Sequence, residues 1–482
     1  MAKRKLSTFE RLRQGEPLNR QERRELQRRL ESADPGLEII HEDAAGIDVG
    51  QDSHHVAVPP GRDEHPIREF GCWTAALEEM AQWLLGCGIR TVVMQSTGVY
   101  WMAVHDVLQQ HGLEVNVVDA RGTKNVPGRK SDVQESEWLR KLHRYGLLRS
   151  CFLPQPEIHA VRTVWRLRIQ HVRDAGRCIQ HMHDALTEMN VQLHIALSDI
   201  SGVSGQAIIR ALLAGQRDPR ALAALRDCRC QASEEEFVHS LQGNWKEDVL
   251  FALQQAVDAY DFYQGQIAKC DRQLQQYLSV LPSRPSGSTP AAAAPDGPGK
   301  KRRSRKKKHP VGNEPNFDVA AELERILGVN ALGIDGLGVI TIQTILAEVG
   351  PDLSAWKTER HWVSWLKLAP LRDVSGGRVL RHVRQKHTNR VGIAFRNAAQ
   401  SLVRSDSYLG ARYRYLNAKL GALKAVKAMA RTLACLYYRL ITKGQAWVDR
   451  GAAEFERRRQ QREFISLERK ARSLGMQLVP VA

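Results

Sequence analysis

The chain's 482 residues, 43% hydrophobic and 26% charged, are enough for two or three domains with separate cores. Lys and Arg outnumber Asp and Glu by 71 to 53, a net charge of +18, which makes a polyanion the leading partner and its binding salt-dependent. Eight scattered cysteines never form a Cys-x-x-Cys pair, and Cys228-Arg229-Cys230 has the wrong spacing, so a disulfide framework and a zinc knuckle are both disfavoured. The basic, polar N-terminal stretch lacks the apolar core of a signal peptide, and no run approaches the ~18 apolar residues of a membrane span. The expectation is a soluble cytoplasmic protein without a membrane partner.

Residues 1–43 read as a basic arm with one helix from Leu18 to Glu31, charged on all sides and therefore solvated. From Ala44 the pattern alternates. Ala45-Gly46-Ile47-Asp48-Val49 and His55-Val56-Ala57-Val58 predict a hairpin, and Arg68-Glu69-Phe70-Gly71 a third strand. The pair His54-His55 lies beside Asp48, where an exposed hairpin explains it as well as a metal role does. Thr74 is suited to cap a helix ending near Gly86. Thr91 to Gln95 and Glu114 to Asp119 predict buried strands separated by a helix from Tyr100 to Gln110, and Ser131 opens a helix through Leu147. Residues 44–152 thus form a mixed α/β domain.

Residues 153–281 are nearly all helical. The periodic stretch from Ile158 to Leu197 predicts a long helix of coiled-coil type, packed on a partner in this chain or another. Residues 282–317 are rich in Pro, Ser, Ala and Gly and contain the run Lys300, Lys301, Arg302, Arg303, Arg305, Lys306, Lys307 and Lys308, which predicts a disordered basic linker with phosphate affinity. Residues 318–450 predict a mostly helical domain. Its Ile334-Asp335-Gly336-Leu337-Gly338 turn opens a helix as helix-hairpin-helix units do on DNA, although the same turn is common architecture. Ala422 to Thr442 is an amphipathic helix bearing Lys424, Lys427 and Arg431, and residues 451–482 are a basic helix or tail.

Acids gathered on a strand and on a helix end suit metal-dependent phosphoryl transfer, because hard cations need close, rigid carboxylates. Asp48 lies inside an apolar strand, while Asp132 and Glu135 are three apart and share one helix face. Taken alone, an Asp at a helix start also serves as a cap, and actin-like sugar kinases carry a similar Gly-Ile-Asp-Val-Gly strand. The surrounding words narrow the choice. Met94-Gln95-Ser96-Thr97-Gly98-Val99-Tyr100-Trp101, Lys124-Asn125-Val126-Pro127-Gly128-Arg129-Lys130-Ser131-Asp132 and Trp138-Leu139 resemble the DEDD transposases of bacterial insertion sequences, relatives of the Piv and MooV DNA invertases. Gly336-Leu337-Gly338, Ala347-Glu348-Val349-Gly350, Leu368-Ala369-Pro370 and Ser375-Gly376-Gly377 resemble that family's second domain.

The resemblance implies a ribonuclease H-like domain of RuvC type and a divalent metal, expected to be Mg2+. It also implies a nucleophilic serine in a Pro-x-x-x-x-Ser-Gly motif, which falls at Ser375, and a structured guide RNA that pairs with donor and target DNA. The family's four acids become Asp48, Gln95, Asp132 and Glu135 here, so the second loses its charge. Asp119 and Asp52 are the candidates to compensate. Arg129, Lys130, Arg372 and Arg378 are candidate phosphate ligands. Trp101 and Trp138 are expected in the core. The fold class is therefore α/β plus all-α, and the function a homo-oligomeric DNA transposase or recombinase. A hydrolytic junction nuclease and a decayed nucleic-acid-binding protein are its rivals.

Overall fold

Along β1 (Ala44–Val49), apolar Ala45, Ile47 and Val49 alternate with Gly46 and Asp48, so the strand has one greasy face and one that carries the acid. In the computed structural model the described residues are 20–32, 35–96, 98–119, 132–285, 312–375, 378–383, 389–445 and 449–479. The side chains of 20, 23, 27, 31, 132–134, 372–375 and 382–383 fall outside that description. The chain divides into two compact units, Met1–Leu153 and Pro154–Ala482.

In the first unit β1 pairs antiparallel with β2 (Ser53–Ala57), and β2 with β3 (Ile67–Gly71). On its other edge β1 pairs in parallel with β4 (Thr91–Gln95), which pairs in parallel with β5 (Glu114–Val118). The order β3-β2-β1-β4-β5, with only β2 running against the rest, is that of a ribonuclease H-like sheet. Helices α2 (Thr74–Gly86) and α3 (Trp101–Gln110) cover the face carrying Ile47, Val49, Val92 and Met94. Thr74 does not cap α2, because Trp73 holds that position and makes no side-chain capping bond.

The opposite face carries α4 (Asp132–Arg144), where Leu139 packs on Val93 and Val118. Behind it lies the N-terminal helix α1 (Arg20–Glu31). The sequence predicted a helix solvated all round; instead Leu26 and Leu30 are 1% and 2% exposed, packed with Trp138 and Leu142 of α4. Burying each leucine contributes about 2 kcal/mol, enough to dock a helix whose other positions are charged. Trp138 is core, and Trp101 packs half-buried on the opposite cluster.

The second unit is built on two long helices, α5 (Pro156–Glu188) and α6 (Glu247–Val280). They run antiparallel, Arg168 facing Asp271 and His171 facing Tyr263, so the partner of the long helix lies in this chain. Short helices between residues 193 and 240 close one end over a shared apolar cluster. At the other end Arg168 and Asp271 form a buried ion pair. The guanidinium also donates to the Asn313 carbonyl (2.9 Å), and Asp271 accepts from the Asn316 amide (3.1 Å). The chain leading out of the linker is therefore pinned to the long helices; residues 286–311, with Lys300 to Lys308, lie outside the described residues.

Beyond residue 318 come α7 (Val319–Leu327), α8 (Val339–Val349), α9 (Glu359–Trp365), α10 (Arg390–Ser401), α11 (Tyr408–Leu420), α12 (Ala422–Lys443) and α13 (Gly451–Ser473). Glu348 on α8 receives a two-pronged bond from Arg166 (2.8 and 2.6 Å), with Arg162 and Arg390 beside it. Trp165 donates to Thr344 (3.1 Å). The Ala347-Glu348-Val349-Gly350 motif thus fastens α8 to α5. Gly336, at φ +88°, has its missing side chain aimed at the Ala398 carbonyl and Leu402, both 3.0 Å from an ideal Cβ. Its role in the turn before α8 is close packing on α10. Among the described residues, no helix is long and apolar enough to cross a membrane.

Candidate active site

An ideal Cβ on Gly46 would stand 2.3 Å from the Ser136 carbonyl oxygen and 2.4 Å from the Arg140 amide, so α4 crosses β1 backbone against backbone. Side chains two apart on a strand share a face, which puts Asp48 on the α4 side of the sheet. The parallel register with β4 brings Ile47 opposite Met94, and Asp48 and Gln95 are the next residue of each strand. From the first turns of α4, Glu135 accepts a hydrogen bond from the Gln95 amide nitrogen. Gln95 is 3% exposed, whereas Glu135 and Asp48 are half-buried. Asp48, Gln95 and Glu135 therefore lie at the carboxyl ends of adjacent parallel strands, where open α/β sheets bind ligands.

Asp132 begins α4, one turn before Glu135; its side chain, like Arg129, Lys130 and Ser131 entire, lies outside the described residues. Asp119 directly follows β5. Val118, not Asp119, is the register partner of Gln95 and packs on the α4 face. Asp119 raises the Cys151 thiol above its usual range, second to the burial of that thiol. Asp52 is exposed in the β1–β2 turn.

The histidines differ from the sequence expectation of an exposed hairpin. His55 is opposite Asp48 and so shares its face, whereas His54 is 2% exposed and burial lowers its pKa. A polar pair that sequence reasoning missed fixes the opposite ends of β4 and α4 from Gln95 and Glu135. Buried His143 on α4 bonds Thr91 (2.9 Å) and stacks on His41, and burial pushes its pKa down to about 4. No motif distinguished it from a surface histidine near a helix end.

Among the described residues, no three His, Cys, Asp or Glu side chains converge as a ligand set. The donors that are described, two carboxylates flanking an amide, are nevertheless all hard oxygen or amide groups, which suits Mg2+ rather than a soft metal.

In the second unit, Ser375 ends β6 (Leu371–Ser375) and pairs with Arg378, the first residue of β7 (Arg378–Val383). The sequence predicted no strands here. The pairing of the two strands reaches Ser375 opposite Arg378, with Pro370 just before β6; Gly376, Gly377 and the Ser375 and Arg372 side chains lie outside the described residues. Arg378 is exposed.

Two transposase family models match the chain. The DEDD transposase model of IS110 matches residues 45–191, and the model described as the transposase IS116/IS110/IS902 family matches residues 330–414. The chain belongs to the IS110-type insertion-sequence transposases. It is accordingly a DNA-cleaving and rejoining enzyme that acts in transposition, and transposase domains of its DEDD class are generally dependent on divalent metal. No curated protein matches it.

Proposed function

We propose that this transposase joins DNA strands through a serine–phosphate intermediate, with a carboxylate metal site in its first unit and Ser375 as nucleophile in its second. The convergence of Asp48 and the Glu135 turn on one sheet face supports the metal half of this reading. Asp48, Asp132 and Glu135 would hold a divalent cation, Mg2+ by the hardness of their oxygens, and once bound it supplies positive charge against phosphoryl oxygens. Gln95 orients the Glu135 carboxylate through its amide and adds no charge of its own. The site then carries three acids rather than four, and binds its cation less tightly.

The Ser375 hydroxyl attacks phosphorus; its oxygen forms the new P–O bond, and the departing DNA oxygen leaves as a hydroxyl. The phosphodiester energy stays in the protein–DNA link for rejoining. Arg129, Lys130, Arg372 and Arg378 steady the phosphate, and the basic run from Lys300 to Lys308 adds sequence-independent affinity. The net charge of +18 further supports a structured guide RNA pairing with donor and target DNA, on a homo-oligomer of two or four chains. The six segments read from the sequence remain our proposed division of labour, the helical stretch 153–281 serving assembly and nucleic-acid contact.

The decisive experiment traps the intermediate. A labelled donor DNA incubated with enzyme, Mg2+ and its RNA is expected to yield a denaturation-resistant adduct, and Ser375→Ala to lower that yield at least a thousandfold. An adduct yield unchanged by the substitution sinks the assignment. Strand cutting with no adduct in the unmodified enzyme favours hydrolysis by water.

A further inference from the structure

The amphipathic helix α12, which follows the matched residues 330–414, has a use its sequence does not state. Ala425, Met429, Leu433 and Tyr437 of α12 are buried, while Lys424, Lys427 and Arg431 follow one another at helical spacing on the other side and face a cleft of about 880 Å³. Arg412 from α11 and Arg450 from the segment before α13 complete its basic wall. Among the described residues, no carboxylate lines the cleft. Two further lining arginines are neutralised by acids behind them, Arg439 by Glu359 and Arg458 by Glu454. No ion pair among the described residues reaches the other five cations. Burial, and then Arg396 nearby, lower the Lys427 pKa, as expected where cations crowd without a counter-charge.

The shape distinguishes an extended polyanion from a small one. A second depression of about 340 Å³ shares Tyr408 and Arg412 with the first and continues along α13 past Arg462 and past Arg459, whose charge Glu456 and the lining Glu463 offset. At its other end the cleft reaches Leu368 and Pro370, the root of the hairpin that ends at Ser375. Tyr408, the aromatic group common to both depressions, is half-buried and packs edge-to-face with Phe455, and no second aromatic ring lines the first depression among the described residues, so the cleft lacks the run of rings that stacks successive unpaired bases. We infer that this cleft seats the sugar–phosphate backbone of duplex DNA flanking the phosphodiester on which Ser375 acts. Its position relative to the reacting bond rests on the serine reading; its affinity for duplex does not.

Lys424 and Arg431 are exposed, so Lys424→Ala/Arg431→Ala removes charge without opening the core. Binding of a fluorescent duplex of arbitrary sequence to the full-length protein is measured against salt in EDTA, where no strand is cut. Losing two phosphate contacts is expected to lower the slope of log K on log salt by about 1.8, so that wild type loses about tenfold more affinity than the variant between roughly 50 and 200 mM salt. The charge-keeping Lys424→Arg/Arg431→Lys is expected to retain the wild-type slope. Arg450→Glu, outside any helix, provides an independent reading with a slope lower by about 1. Unchanged slopes in both charge-removing variants overturn the proposal, as does a loss confined to an RNA hairpin probe while duplex binding persists. Because nothing reacts in EDTA, a failed adduct experiment would displace Ser375 and leave this result standing.

Discussion

Gln95 is where the catalytic pattern and the packing meet. Its amide donates to Glu135 in a nearly sealed position, so a carboxylate at 95 would confront another carboxylate with no donor between them. Two such groups repel unless a proton or a cation intervenes. Gln95→Glu is therefore expected to destabilise the protein in EDTA by about 2 kcal/mol, lowering the melting temperature of a unit this size by roughly 4–8 °C. Millimolar Mg2+ is expected to restore it, because a ligand that binds only the folded state stabilises it. If Mg2+ leaves the melting point of this variant unmoved, Glu135 and position 95 do not share a cation site. The substitution also separates an adapted site from a decayed one, since only an adapted site has a use for the neutral amide.

At the scale of an element, α4 is what turns separated acids into a site. The helix is held to the sheet by Leu139 on one side and by its backbone against Gly46, with no side chain intervening. Gly46→Ala inserts a methyl where the Ser136 carbonyl and Arg140 amide already stand, and backbone cannot swing aside as a flexible side chain does. The expected loss is about 3 kcal/mol or more of stability. Metal-dependent cleavage is expected to fall further than the melting point accounts for, because Glu135 rides on the displaced helix. A Gly46→Ala enzyme with full activity at 25 °C would show that α4 need not approach β1 so closely. In the second unit, β6 and β7 hold the Ser375 backbone in a strand, opposite Arg378.

For the whole molecule, the second unit depends on charges buried between helices far apart in sequence. Arg168, 2% exposed, spans from α5 to Asp271 on α6 and to the backbone at Asn313. Asp271→Ala leaves that guanidinium buried without its counter-charge, and is expected to cost about 3–5 kcal/mol in urea unfolding followed through the second unit. Replacing both partners together, Arg168→Met with Asp271→Leu, is expected to recover most of the loss; equal losses in the single and double variants would mean the pair is not what holds these helices. The Glu348 cluster, with Arg162, Arg166 and Arg390, ties α8 and α10 to the same long helix. The helices that carry the hairpin and the basic cleft are thus mounted on a frame assembled by ion pairs.

Local pattern was enough to read the five sheet strands, the long helices and the words that carry Asp48, Gln95, Asp132, Glu135 and Ser375, because strand alternation, helical period and short motifs are written in neighbouring residues. The acids' common face was legible only in part: the three-residue spacing placed Asp132 and Glu135 together, but which strand faced them depended on α4 crossing β1 at Gly46. Leu26 and Leu30 were obscured by the arginines around them, and the hairpin at Ser375 by the short length of its strands, which carry little periodicity. The basic cleft could not be read at all, since Arg412, Lys427 and Arg450 come from three segments and become one surface only when α11, α12 and the start of α13 pack. Sequence by itself determined the chemistry available to this transposase. Tertiary structure decided which groups meet, because burial, register and the placement of uncompensated charge depend on contacts between residues that the chain keeps far apart.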